Sequence, residues 1–580
     1  MKHEPLSILF PWQSEVTYRE LPESAWHDLG MDVIAGKVAA QPQEIPLIRR
    51  VMTSMTADPR VTAFRCDVFA DVLSHPEIRT RMMKLLEQVK TFYDYGIVKR
   101  GEGDEAGLWD LMHRLEEYRS YVITVEALRE CLSDRELVSE GLRHLWESVD
   151  RIYRDNGFAA LKKDVEEMHI SASDLKSITV GINLNDRFEA VSMGLVSVNK
   201  KPFTQSGMLK NFISSVSPKD NLEAEADWNG SNSFYPANSR TGFLTDAGHF
   251  IESSVIMRNP IAMMSLARVP ASDGLAGVPR QMDSAATMLA SRITRRLRDM
   301  LGKYMNISVK EIADLIPELL YYTRWAEYIE KTGSRGWIFS KPSVLPDASG
   351  PAGMEAEGFY NLKLIDAMPA GQVVRNSLAF DTEKRVYILT GANRGGKTTV
   401  TQAVGQLFLM AQGGIFVPGE KFAFTPANLV LTHFPADEDR TMDLGRLGEE
   451  CKRFRELYVA CSPKSLLLLN ETFSTTSFEE GYYIAVDAVK AILNRGCRTI
   501  YNTHMHKLAA ELDEAVNDPA RTGKAVSLVA ETKEGENSFR IRIAPPEGKS
   551  FARNIAEKYG VTYEHLTGGD QPGGKTTEKP

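Results

Sequence analysis

Three clusters of residues in the C-terminal third of the chain have the types and spacing for phosphate chemistry. Gly391-Ala392-Asn393-Arg394-Gly395-Gly396-Lys397-Thr398 satisfies the spacing Gly-x4-Gly-Lys-Ser/Thr, the Walker A pattern. It follows an apolar run at 386–390 that reads as a buried strand and precedes TTVTQAVGQLFLMAQ, which reads as a helix. Glycines at such a strand-to-helix turn let backbone N–H groups face phosphate at the positive end of the helix dipole. Lys397 has the reach for β- and γ-phosphates, and the Thr398 hydroxyl suits Mg²⁺. The loop residues predicted to bind nucleotide are Gly391, Asn393, Gly395, Gly396, Lys397, Thr398 and Thr399. The predicted ligands are ATP and Mg²⁺.

A second apolar strand, Ser465-Leu466-Leu467-Leu468-Leu469, ends in Asn470-Glu471. A carboxylate at that tip orients water toward a γ-phosphate, so Glu471 is the predicted general base. Asn470 stands where an aspartate usually helps to hold Mg²⁺. Its amide oxygen accepts a hydrogen bond but carries no charge, which predicts weaker metal binding and slower turnover. A third strand, Arg498-Thr499-Ile500-Tyr501-Asn502, delivers Thr503-His504, with His504 33 residues after Glu471. That placement suits a γ-phosphate sensor, and His506 is read as a bystander.

The upstream chain must position these strands. Leu108, Leu111, Leu115, Tyr118, Val122 and Val125 recur at heptad spacing, and Met82, Leu85, Leu86, Val89 and Phe92 form the stripe of a preceding helix. GEGDEAG at 101–107 reads as the loop between them. SITVGINL and FEAVSMGLVSV read as strands joined at Asn185-Asp186, and the Asn/Ser/Gly-rich stretch 229–242 reads as loop. Helices are predicted at 283–305 and 308–331, the second despite Pro317. The first carries Arg292, Arg295, Arg296 and Lys303 around an apolar stripe of Ile293, Leu297, Met300 and Tyr304. The Pro/Gly/Ser-rich stretch 340–353 predicts a boundary. Beyond it strand, loop and helix alternate, as in an α/β layer with parallel strands.

Composition bounds the class. The 580 residues are 43% hydrophobic and 25% charged, too apolar for wholesale disorder. A net charge of −8 argues against a surface that coats nucleic acid throughout, while leaving room for a local basic groove. Five scattered cysteines without a CxxC pair form neither a disulfide framework nor a zinc site. No run approaches the roughly 18 to 20 apolar residues of a membrane span. The expectation is a cytoplasmic protein with no membrane partner.

With its three motifs in this order, the chain resembles the MutS family of ATPases, relatives of the ABC class. GANRGGKTT is similar to that family's GPNMGGKST, and Ile415-Phe416-Val417-Pro418 to its FVPA element. LLLLNETFSTTSFEEG resembles its Walker B run, NTHMHKL its ATH…L, and PPEGKSFARNIAEKYGV its closing helix. The resemblance covers roughly residues 355–565 and extends loosely upstream, including Asp58-Pro59. Asp443-Leu444-Gly445-Arg446 sits where the family's signature segment begins, but Leu447-Gly448-Glu449-Glu450 supplies no hydroxyl to reach a partner's nucleotide. Set against that family, the expectation is a chain without the N-terminal mismatch-reading and connector domains, with Phe454-Arg455-Glu456 an incidental match to the reading motif. An Smr nuclease module after the last helix is likewise not expected.

The expected fold is an α/β P-loop ATPase domain of ABC type, preceded by a mainly α-helical core and lever with a small β-containing insert. The expected division is 1–175 helical core and lever, 176–340 mixed segment and returning helices, 341–565 ATPase domain, and 566–580 disordered tail. The resemblance implies a homodimer whose nucleotide state drives a DNA clamp. Thr398 and Asn470 would support the metal, with Glu471 and His504 catalytic. The alternative is a nucleotide-gated interaction protein that turns ATP over slowly and engages a protein partner. Another ABC-type ATPase is disfavoured by the lack of an LSGGQ-like signature.

Overall fold

The computed structural model describes residues 6–11, 15–88, 108–133, 137–172, 177–184, 190–199, 291–304, 309–346, 353–392, 394–435, 445–519, 523–533, 536–546, 557 and 559–566. The chain forms two compact units. Met1–Met83, Asp134–Leu145 and Asp314–Pro580 make one; Lys84–Ser133 and Trp146–Ala313 make the other. Among the described residues no helix is long and apolar enough to cross a membrane.

The second unit is built on the heptad pattern. Leu108–Leu132 forms one helix that buries Leu111, Leu115, Tyr118, Val122 and Val125. It packs against the helices Asn156–Ala172 and Ser291–Gly302. Tyr118 donates to the Tyr304 carbonyl at 2.8 Å, and the Tyr304 hydroxyl donates to Asp164 at 2.8 Å. On Ser291–Gly302 the apolar stripe is inward, with Leu297 and Met300 buried, while Arg295 and Arg296 are exposed. Lys303 is paired with Asp164 at 3.2 Å. The two strands read from sequence form an antiparallel hairpin, Ser177–Leu184 with Ala190–Asn199. The loops at 101–107 and 229–242, the turn at Asn185-Asp186 and the tail beyond 566 lie outside the described residues.

The single helix expected at 308–331 is two, Val309–Ala313 and α3 (Leu315–Gly333). Pro317 has no N–H to give to the carbonyl four residues earlier, Ala313, so the ladder is interrupted there and restarts with proline in the first turn.

The first unit centres on a six-stranded sheet. Its strands are β3 (Lys384–Gly391), β5 (Val430–His433), β6 (Leu466–Asn470), β7 (Arg498–Asn502), β8 (Lys524–Lys533) and β9 (Glu536–Ile543), in the order β5-β6-β7-β3-β8-β9. All neighbours are parallel except β8 and β9. A second, mainly antiparallel sheet contains β1 (Met354–Phe359), β2 (Asn376–Phe380) and β4 (Lys421–Phe424). Helix α4 (Lys397–Gln412) lies between the two, with Phe408 against Phe422 and Phe424 of β4. The opposite face of the large sheet buries Ile388, Leu467, Leu469 and Tyr501 under Val489 and Ile492 of α6 (Phe478–Arg495). Helix α5 (Gly445–Ala460) packs Phe454 and Leu457 onto the same cluster. Ser477 caps α6 by accepting from the Glu480 backbone, and Gly496 closes its far end in a left-handed conformation.

Glutamines on α4 bind the N-terminal helices to this layer. Gln402 and Gln406 donate to the carbonyls of Asp28 and Leu29, at and just beyond the end of α1 (Glu23–Asp28). Gln412 donates to the Thr56 and Ala427 carbonyls. Arg65 of α2 (Pro59–Ser74) is buried and donates to the Gln412 carbonyl at 2.7 Å. Each such bond satisfies a buried polar group that would otherwise cost about 1–3 kcal/mol.

Candidate nucleotide-binding site

The glycine loop has the backbone its sequence requires. Gly391 ends β3 at φ 138°, and a Cβ there would stand 2.8 Å from the Ala530 Cβ on β8. Arg394 and Gly396 turn through φ 61° and 84° to start α4. Lys397 donates to the Gly391 and Ala392 carbonyls at 3.1 Å, and burial lowers its pKa. Gly395, Gly396, Lys397, Thr398, Glu471 and His504 face a cleft of about 660 Å³. That volume lies in the range of small-molecule sites. Thr399 also lines it and gives its carbonyl to Asn361 at 2.9 Å. Asn393 lies outside the described residues.

Strand register brings the other two motifs to the same edge. Asn470 on β6 pairs with Asn502 on β7, and Asn502 with Leu389 on β3. Thr398 Oγ1 donates to Asn470 Oδ1 at 3.0 Å. Asn502 Nδ2 donates to Thr398 Oγ1 at 3.3 Å and also to Asn470 Oδ1. Above them His504 Nε2 and Glu471 Oε1 share a hydrogen bond of 2.9 Å. His506 does not line the cleft; burial lowers its pKa.

The loop that carries Glu471 is held in an unusual conformation. Glu471 and Phe473 adopt φ of 54° and 65°, a region costing a non-glycine residue about 1–3 kcal/mol. Three elements compensate. Tyr501 of β7 donates to the Thr472 carbonyl, and His433 Nδ1 of β5 bonds the Thr472 hydroxyl at 2.9 Å. Glu450 of α5 accepts from the Thr475 hydroxyl at 2.9 Å and from the backbone of Thr475 and Phe473. Phe454, part of the incidental reading-motif match, stacks edge-on against Phe473 at 5.3 Å.

Sequence reasoning missed Asn502, Glu450 and Phe539. Asn502 directly precedes Thr503-His504, a signal available in the sequence. Glu450 and Phe539, which overhangs Gly396, come from segments with no phosphate motif; a Cβ on Gly396 would lie 3.3 Å from the Phe539 ring.

Residues 387–566 match the family model of MutS domain V, and residues 57–239 match that of the MutS2 N-terminal domain. The chain belongs to the MutS family. Domain V of MutS is a P-loop ATPase domain, and it spans the three motif strands described above. The endonuclease MutS2 of Thermus thermophilus is 33% identical over 194 residues, 33% of this chain and 25% of that protein. A DNA mismatch repair protein MutS of Lactobacillus delbrueckii subsp. bulgaricus is 28% identical over 196 residues, 33% of this chain and 22% of the relative. That of Symbiobacterium thermophilum is 32% identical over 226 residues, 38% and 24% of the two chains. These matches span a quarter or less of each relative's length. Asp443 and Leu444, where the sequence suggested the start of a signature segment, and most of the stretch read as a closing helix lie outside the described residues, while Leu447 packs against the core of the sheet.

Proposed function

We propose that the cleft binds ATP and hydrolyses it, and that the chain acts as a homodimer whose nucleotide state closes a clamp on DNA. The observation that carries the catalytic part is the His504–Glu471 pair at 2.9 Å beside the Thr398–Asn470 pair at 3.0 Å, both over the Lys397 loop. Lys397, now bonded to carbonyls of its own loop, exchanges them for the β- and γ-phosphate oxygens. Glu471 takes a proton from a water whose oxygen attacks the γ-phosphorus as the bond to the β–γ bridging oxygen breaks. His504, partnered with Glu471, is placed to donate to the γ-phosphate and to keep the carboxylate aimed.

The donor set fits Mg²⁺. Thr398 gives its proton to Asn470 and accepts from Asn502, which leaves its hydroxyl one lone pair for a cation, and the side-chain atoms offered to that cation are oxygens. Among the described residues no cluster of three or more His, Cys, Asp or Glu is placed to hold a metal independently of nucleotide. Thr398 and Asn470 are the residues that would hold the ion, which supplies charge neutralisation of the phosphates.

The DNA half of the proposal is supported by the names of the relatives, a mismatch repair protein and an endonuclease. Steady-state hydrolysis no faster than in a Glu471→Ala variant removes the catalytic claim. Binding to duplex, fork and junction DNA, with and without ATP, tests the clamp; it should weaken as salt rises because counterions are released. A second reading, a slow nucleotide-gated protein that engages a protein partner, is favoured by one observation, the neutral Asn470 beneath Thr398. Failure to bind any of the DNAs at low salt selects it.

A further inference from the structure

Taking the cleft as a nucleotide site, we propose that it holds its nucleotide almost equally well with and without a divalent cation, because the protein presents only neutral oxygens to that cation. The geometry of the cation site is intact but its charge is missing. Thr398 Oγ1, Asn470 Oδ1 and Asn502 Nδ2 form a closed hydrogen-bonded trio at the tips of α4, β6 and β7. Asn470 and Asn502 are both buried, and Asn502 Oδ1 has no hydrogen-bond partner among the described residues. Neither amide can become an anion.

The charged groups on the cleft wall decide the sign. Arg394 and Lys397 are cationic, and Glu471 is the one acidic side chain among the described lining residues. Glu471 is engaged by His504. The wall therefore carries a net positive charge before any cation enters. A metal-free di- or triphosphate meets attraction there. A carboxylate at position 470 would cancel that charge within a few ångströms of the phosphates, and the nucleotide would then need the cation to bridge two anions. Asn470 thus removes an obligatory partner from binding, and the cation's effect is confined to the later hydrolytic step.

The test is titration of the full chain with N-methylanthraniloyl-ADP, read by fluorescence, in excess Mg²⁺ and in excess EDTA. The wild type should show dissociation constants within about threefold of each other. Asn470→Asp should bind about tenfold more weakly in EDTA than in Mg²⁺. Asn502→Asp places the same charge one strand over and should behave alike, so the prediction does not hang on one variant folding. A wild-type affinity that falls tenfold or more in EDTA overturns the inference. So do aspartate variants that remain indifferent to EDTA. A wild type that binds under neither condition is a distinguishable failure, since it overturns the nucleotide site itself.

Discussion

Glu450 on α5 and Thr475 in the loop after β6 are joined, carboxylate to hydroxyl, at 2.9 Å, so α5 is bonded to the loop that carries Glu471. The same carboxylate accepts from the backbone of Phe473, whose left-handed conformation needs outside support.

Glu450→Ala should therefore slow ATP turnover about tenfold while changing nucleotide affinity less than about twofold, since one charge-assisted contact is worth about 1.5–3 kcal/mol. Glu450→Gln keeps an acceptor for Thr475 and should recover most of the rate. Single-turnover hydrolysis with a parallel nucleotide titration checks both; an alanine variant as fast as wild type would show that the loop is held without Glu450.

His504→Ala should reduce turnover about 100-fold, in the range for loss of a positioned proton-transfer or charge-stabilising group. The fold should be unchanged, because the His504 side chain is 43% exposed. Circular dichroism with steady-state hydrolysis distinguishes this from unfolding.

Gly405 lies where α4 crosses β6 and the end of α1. A Cβ there would stand 2.4 Å from Leu29 Cδ2 and 2.9 Å from Leu468 Cδ1. Gly405→Val should destabilise the first unit by about 1–3 kcal/mol or more, the cost of overpacking. The readout is a lower thermal midpoint, and a midpoint equal to wild type refutes the close approach.

Glu318 on α3 holds the N-terminal segment, accepting from Ser7 Oγ and from the backbone of Ile8 and Leu9. Burial pushes its carboxyl up to about 7, well above the ordinary glutamate range. The folded state thus keeps a proton that the unfolded chain releases. This contribution is fully present below about pH 4.5 and is lost as pH rises through about 7, by up to about 3 kcal/mol. Glu318→Gln should flatten the decline in thermal midpoint between pH 5 and pH 8; an unchanged slope would assign the dependence to other groups.

Much of the site was legible because its signals are local. A glycine loop between an apolar run and a helix announces itself within 20 residues, and Glu471 and His504 follow directly from strand tips. The strand β7 was read with the bounds it has, Arg498–Asn502. The helix expected over 308–331 failed at a single missing N–H, which periodicity does not register. The matches to MutS domain V and to the MutS2 N-terminal domain extend the family beyond the motif region to residues 57–239.

The sequence by itself determined the types of group available: a lysine, a threonine, an asparagine in place of a carboxylate, a glutamate and a histidine, each on its own strand or helix end. Only the tertiary structure decided which of them meet. Thr398 and Asn470 are 72 residues apart, Asn470 and Asn502 are 32 apart, and their contacts exist because parallel pairing sets β6 beside β7 and β7 beside β3. Parallel strands need crossover connections, so the order in the sheet is set by how helices and strands bury their apolar faces together, a non-local choice that no window of sequence contains. The same packing brought Glu450 against the loop of Glu471. Its chemistry was written in one residue, and its purpose depended on a fold.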